Sequence, residues 1–246
     1  MICRARLRSV ATAITLSLSA VSALPASAAD DPPPNILFIL ADDLGARDLG
    51  CYGGTLAETP RLDALAAAGV RFTDAYAPAP ICSASRAAIL TGRSPARLHF
   101  EFVTKPAGVN PPARRLQPPP YTRDLPLSEI TVAETLAAAG YSTAFFGKWH
   151  VSEHYERYLG WSPTHGPPQQ GFQHAVEDFG SHPYATGKQV PPAAAHATGT
   201  YPDDSMTGRA VDFLEQRRPQ DSAKPFFLMV SLFYVHPPVR APTTWL

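Results

Sequence analysis

The chain has 246 residues, 45% of them hydrophobic, with 21 basic residues balanced by 21 acidic ones. That is enough apolar material for one or two domains, and it excludes wholesale disorder and a basic nucleic-acid wrapper. Twenty-seven prolines and 16 glycines predict long irregular loops, and three cysteines are too few for a disulfide scaffold.

In chain order, residues 1–29 read as a signal peptide. Arg4, Arg6 and Arg8 precede an apolar stretch from Val10 to Leu24, and Pro25-Ala26-Ser27-Ala28-Ala29 supplies the small residues of a cleavage site. The stretch is too short for a membrane span, and no later segment is long enough, so no stable membrane span is expected. Cleavage would remove Cys3 and leave Cys51 and Cys82 in a periplasmic or secreted protein.

Asn35 to Leu40 is a continuous apolar run, which predicts a strand buried on both faces. Thr59 can cap a helix that has Pro60 at its first position and Gly69 as its stop, followed by a short strand at Val70-Arg71-Phe72. The pattern repeats with a capping box of Thr131 and Glu134, a stop at Gly140 and a strand from Tyr141 to Phe146. A third unit runs from Asp204 through Val211 and Leu214 to Arg218, then the strand Phe226 to Val235. This alternation predicts an α/β fold with a mainly parallel sheet and helices on both faces. The Pro-rich segment 104–127 and the Gly-, Pro- and His-containing segment 151–203 break the pattern and read as long loops.

Ligands of open α/β sheets bind at the carboxyl ends of the strands. Asp42 and Asp43 follow the first strand, Lys148 and His150 the next, and His236 the last. Each alone is also what a turn or a packing position provides; their convergence on one edge makes them candidates. Lys148 and His150, two apart, would share a side in extended chain.

Between these strands, Cys82-Ser83-Ala84-Ser85-Arg86 with Leu90-Thr91-Gly92-Arg93 resembles the type I sulfatase signature. Residues 35–54, Thr59 to Asp63, Gly69 to Phe72 and Gly147 to His150 resemble further blocks of the same family. The resemblance implies an alkaline-phosphatase-like fold and sulfate-monoester hydrolysis. In that family the cysteine is oxidised to a formylglycine aldehyde by a maturation enzyme. One hydroxyl of its hydrate attacks sulfur and expels the alcohol; the other then loses its proton, releases sulfate and restores the aldehyde.

Carried over by resemblance, Cys82 is the modified nucleophile, just before a helix whose N-terminus favours an anion. Arg86, four residues on, steadies the hydrate and the sulfate, and Lys148 and His150 contact their oxygens. His236 stands near the leaving-group oxygen as general acid. Asp42 and Asp43, with modified Cys82, are implied ligands of a divalent cation, Ca²⁺ before Mg²⁺, which suit hard oxygen donors. Cys51 reads as a small buried residue without a chemical task.

Family members are longer, with a later Asp paired with Asn or His, a later Lys and a C-terminal subdomain. Residues 30–246 therefore read as the N-terminal part of an incomplete catalytic domain, with little expected turnover and exposed sheet edges. Rival readings are a phosphonate or phosphodiester hydrolase of the same superfamily, an exported non-catalytic binding domain, and a non-functional relic. The expected partners are a small-molecule or carbohydrate sulfate ester and the maturation enzyme. Selectivity is expected in segments 101–127 and 151–203, whose His154, His165, His174, His182 and His196 read as surface residues in preference to sugar contacts.

Overall fold

Four strands and four α-helices make up the described part of the computed structural model, which covers residues 32–100, 102–104, 122–179, 205–217 and 224–237. In chain order they are β1 (Ile36–Leu40), α1 (Pro60–Ala68), α2 (Cys82–Thr91), α3 (Val132–Ala138), β2 (Ser142–Gly147), β3 (His174–Val176), α4 (Ser205–Gln216) and β4 (Phe226–Ser231). The signal-peptide reading, His182 and His196 lie outside the described residues. No helix among the described residues is long and apolar enough to cross a membrane.

The sheet order is β1-β4-β2-β3, and every described pairing is parallel. Side chains alternate along the strands, so the two inner strands, β2 and β4, each feed two cores. Phe145, Phe227 and Met229 face Ala87 and Leu90 of α2 and Ala133 of α3, with Ile36, Phe38 and Leu40 packed on the same cluster. Ala144, Phe146, Leu228 and Val230 face Ala210, Phe213 and Leu214 of α4 on the other side. Helices thus cover both faces, as the alternating pattern predicts. Phe145 anchors the larger core: Trp149 meets it edge-on at 5.3 Å and Phe172 lies 5.1 Å away, arrangements that suit aromatic quadrupoles.

Local signals set most element ends. Thr131 Oγ1 accepts from Glu134 N–H at 3.1 Å, and Glu134 Oε2 accepts from Thr131 N–H at 2.8 Å, completing the capping box of α3. Pro60 opens α1 and Gly69 follows it, yet Thr59 makes no cap bond. Its hydroxyl instead accepts from Gly50 N–H at 2.8 Å and donates to Asp63 at 3.0 Å.

Three sequence expectations need correction. β1 is an edge of the described sheet and is buried on one face only, with Leu37 49% and Ile39 57% exposed. Residues 70–72 form no strand; Val70 and Phe72 are 83% and 68% exposed, and no described strand pairs with them. The last strand ends at Ser231, four residues short of Val235. One strand, β3, was not anticipated; it pairs with β2 from within the irregular segment 151–203.

Candidate active site

Parallel pairing in this register brings three strand exits together, because Leu40 and Gly147 both pair with Ser231 of the central strand. The ladder continues one step further, with Leu232 N–H donating to Leu40 O and Asp42 N–H donating to Tyr234 O, each at 2.8 Å. Asp42 is thereby held at the sheet edge with its side chain buried. Asp43, at φ 60°, turns the chain away and stays exposed. Across β4, Lys148 N–H donates to Ser231 O at 2.8 Å. The turn into Lys148 requires glycine at 147: its φ is +107°, and a Cβ there would lie 2.1 Å from Ser231 O.

α2 supplies the third side. Ile81 is its N-cap in extended conformation, so Cys82 is the first helical residue, and Arg86 lies one turn on along the same face. Ala84 and Ala87, 2% and 0% exposed, let the helix approach the sheet closely. Arg86 then reaches the strand exits. Its Nη1 donates to Lys148 O at 2.7 Å and to the Ser231 hydroxyl, and its Nη2 pairs with Asp42 Oδ2 at 3.2 Å. Lys148 Nζ forms an ion pair with the same Asp42 oxygen. The Ser231 hydroxyl donates to Lys148 O at 2.8 Å. Two buried cations therefore share one buried carboxylate, and a serine ties them together.

The electrostatics follow from this sharing. Burial alone would raise the Asp42 carboxyl, but Arg86 and Lys148 outweigh it and hold it below the usual carboxylate range. Burial lowers Arg86 and Lys148, and their mutual repulsion lowers Lys148 further; Asp42 and Cys82 oppose both shifts. Cys82 is thus near enough to be felt by both cations. It is half-buried and free, as is Cys51. Asp42, Asp43, Cys82, Ser85 and Arg86 line one cavity of about 690 Å³, whose remaining wall includes residues 75–81.

The other sequence candidates are placed less uniformly. His236 Nε2 lies 3.8 Å from Asp43 Oδ2, and its Nδ1 donates to Pro237 O at 2.6 Å. His150 is buried at φ 56°, so the chain is not extended there, as the argument for its sharing a side with Lys148 assumed. Burial first, then Lys148 and Arg86, push its imidazole well below the ordinary histidine value. His154 is no surface residue either: both its ring nitrogens are buried. Cys51 is half-buried among Asp63 and Arg71 contacts, away from the Asp42 cavity.

Ser231 and Ser85 escaped the sequence reading. Ser231 closes the otherwise apolar run from Phe226 to Val230, at the same strand-exit position as Asp42 and Lys148. A lone hydroxyl ending a buried strand was the available signal.

A divalent cation needs more donors than are gathered here. The two carboxylates are of the hard type, but Ca²⁺ takes about six to eight oxygens. Asp42 Oδ2 already carries Lys148 and Arg86. Among the described residues no three His, Cys, Asp or Glu side chains gather as a metal site. These residues supply part of a shell and do not by themselves hold the ion.

A family model described as Sulfatase matches residues 34–246. Human arylsulfatase A is 48% identical over 154 residues, covering 63% of this chain and 27% of that protein. N-acetylgalactosamine-6-sulfatase of the dog is 35% identical over 248 residues, covering 91% of this chain and 44% of that protein. The chain thus spans less than half the length of these relatives. Among solved structures, Ps i-CgsB in complex with k-i-k-neocarrahexaose superposes with a TM-score of 0.63 at 27% identity, over 85% of this chain and 46% of that one.

Proposed function

The chain belongs to the sulfatase family, and from that premise we propose that it hydrolyses sulfate monoesters with a nucleophile derived from Cys82. One observation carries the reading. Cys82, Asp42, Asp43 and Arg86 line a single cavity, and Lys148 is paired to the Asp42 carboxylate on its border.

A thiol is a poor agent for sulfate esters, so conversion of Cys82 to formylglycine is part of the proposal, and the maturation enzyme is its partner. In this arrangement Arg86 and Lys148 offset the negative charge of the sulfate oxygens in a half-closed, low-dielectric pocket. Their own positions are held by Asp42 and Ser231, so little reorganisation is needed as charge develops. The neutral, buried His150 serves as a hydrogen-bond group toward the nucleophile or sulfate. His236, on the rim beside Asp43, protonates the leaving alcohol. Asp42 and Asp43 offer two oxygen donors to a divalent cation, Ca²⁺ before Mg²⁺. Its further ligands would come from outside the described residues or from solvent. Such an ion would polarise the sulfate when bound. Export, by the N-terminal leader, belongs to the same proposal.

The relatives named above are sulfatases, which favours sulfate over the phosphonate or phosphodiester alternative. The N-acetylgalactosamine-6-sulfatase relative and the neocarrahexaose complex favour a carbohydrate sulfate as substrate, and the arylsulfatase relative favours a small-molecule aryl sulfate. The test has two parts. The chain is co-expressed with a formylglycine-generating enzyme, and the peptide containing Cys82 is weighed; the mass change of CH₂SH to CHO is expected. Turnover of an aryl sulfate is then compared with that of an aryl phosphodiester in a longer chain that also carries the later family residues, since little turnover is expected of residues 30–246 alone. A persistent thiol overturns the nucleophile, and faster phosphodiester cleavage overturns the substrate class.

A further inference from the structure

His154 is a half-buried residue, with both ring nitrogens buried, for which the proposed reaction has no task. Its ring lies 5.6 Å from that of His150, tilted by 38°, and the Tyr158 ring meets it edge-on at 4.8 Å. The three rings form a ladder leading from the surface to His150. All four ring nitrogens of His150 and His154 are buried and lack hydrogen-bond partners among the described residues. Ordinarily the hydrogen bond made by one ring nitrogen sets the tautomer and orientation of the other. Here none does so for His150, and the ring packed on it is what remains to orient it.

This contact is itself anchored. Leu125 N–H donates to Val151 O at 2.8 Å, Glu153 N–H donates to Asp124 Oδ1 at 2.8 Å, and Arg123 pairs with Glu153 at 3.0 Å. Val151 and Trp149, on either side of His150, are fixed in the core. His150 holds φ 56°, which a non-glycine residue keeps only where its surroundings enforce it.

We infer that His154 is a positioning residue for His150: its ring, in contact with both the His150 and Tyr158 rings, fixes the orientation and tautomer of the His150 imidazole. The two imidazoles are uncharged near neutral pH. Burial lowers His154 to about 4, aided by Lys148 and opposed by Glu153. His150 faces Lys148, Arg86, His154 and His236, all of which resist its protonation after burial itself. The inference deepens the proposed function, since orienting His150 matters only if His150 works at the nucleophile or sulfate.

The test is long-range ¹H–¹⁵N spectroscopy of the histidine rings in the full chain between pH 4 and 8. The native protein is expected to show His150 as one neutral tautomer down to pH 5. His154→Phe, which keeps a ring in that contact, should preserve that signature. His154→Ala should give mixed tautomers and raise the His150 midpoint by about one unit. In active enzyme His154→Ala should also lower kcat/KM roughly ten- to a hundredfold, mainly through kcat. An unchanged His150 spectrum in folded His154→Ala overturns the inference, as does a folded His154→Phe that behaves like His154→Ala. Spectra that shift as expected without any effect on turnover would uphold the positioning and overturn the catalytic role of His150.

Discussion

From Asp43 to Cys82 no residue is buried, whereas the ten residues of α2, which begins at Cys82, bury six. The first stretch is held by polar contacts: Gly50 N–H to Thr59, Cys51 N–H to Asp63, and the Arg71 guanidinium 5.6 Å from the centre of the Tyr52 ring. The second is held by core packing and by Arg86 driven into a buried charge cluster. Cys82 stands on the seam. Its helical side is fixed by the packing of α2, while the opposite wall of its cavity is built from the exposed segment 75–81. The fixed half can hold charge in position; the loosely held half can accommodate a change in side chain at small cost.

The sharpest way to break this contrast is Asp42→Ala. It strands Arg86 and Lys148 as buried, uncompensated cations, and about 3–5 kcal/mol of stability should be lost in urea unfolding. A loss below about 1 kcal/mol would mean that the cluster is open to water. Ser231→Ala removes one partner of the buried Arg86 guanidinium while leaving Lys148 O and Asp42, so about 1–3 kcal/mol is expected. Thr131→Ala, which dismantles the α3 capping box, should cost about 0.5–2 kcal/mol by the same measurement. Leu65→Ala, on exposed α1, should fall within about 0.5 kcal/mol. If it cost as much as Ser231→Ala, the stretch before Cys82 would be packed in a way these contacts do not account for.

Acid should act on the fixed half. His150 and His154 titrate lower in the folded chain than their ordinary value of 6.5, so below that pH the unfolded chain takes up protons that the folded chain refuses. Stability is therefore full above about 6.5 and falls as the pH drops toward 4. Asp42, held below its ordinary 3.8, adds a further loss beneath that value. Thermal melts at successive pH values should show this decline, with a shallower slope between 6.5 and 4 for His154→Phe.

The chain alone specified what short-range pattern can carry. The apolar runs became β1, β2 and β4, Pro60 and the Thr131–Glu134 box opened helices, and Gly69 and Gly140 followed their ends, because period and capping act within a few residues. It also specified that Asp42 and Lys148 would stand at one sheet edge, since parallel strands must deliver their exits together. Packing decided the rest. Val70 to Phe72 has strand-like side chains but gains no strand partner among the described residues, whereas β3, in a segment without periodicity, gains β2. Whether Leu37 and Ile39 are covered, whether Ser231 grips Arg86, and whether His154 is buried each depend on residues far away in sequence. Burial and hydrogen bonding are properties of the neighbour, and the neighbour is chosen only when the chain has folded.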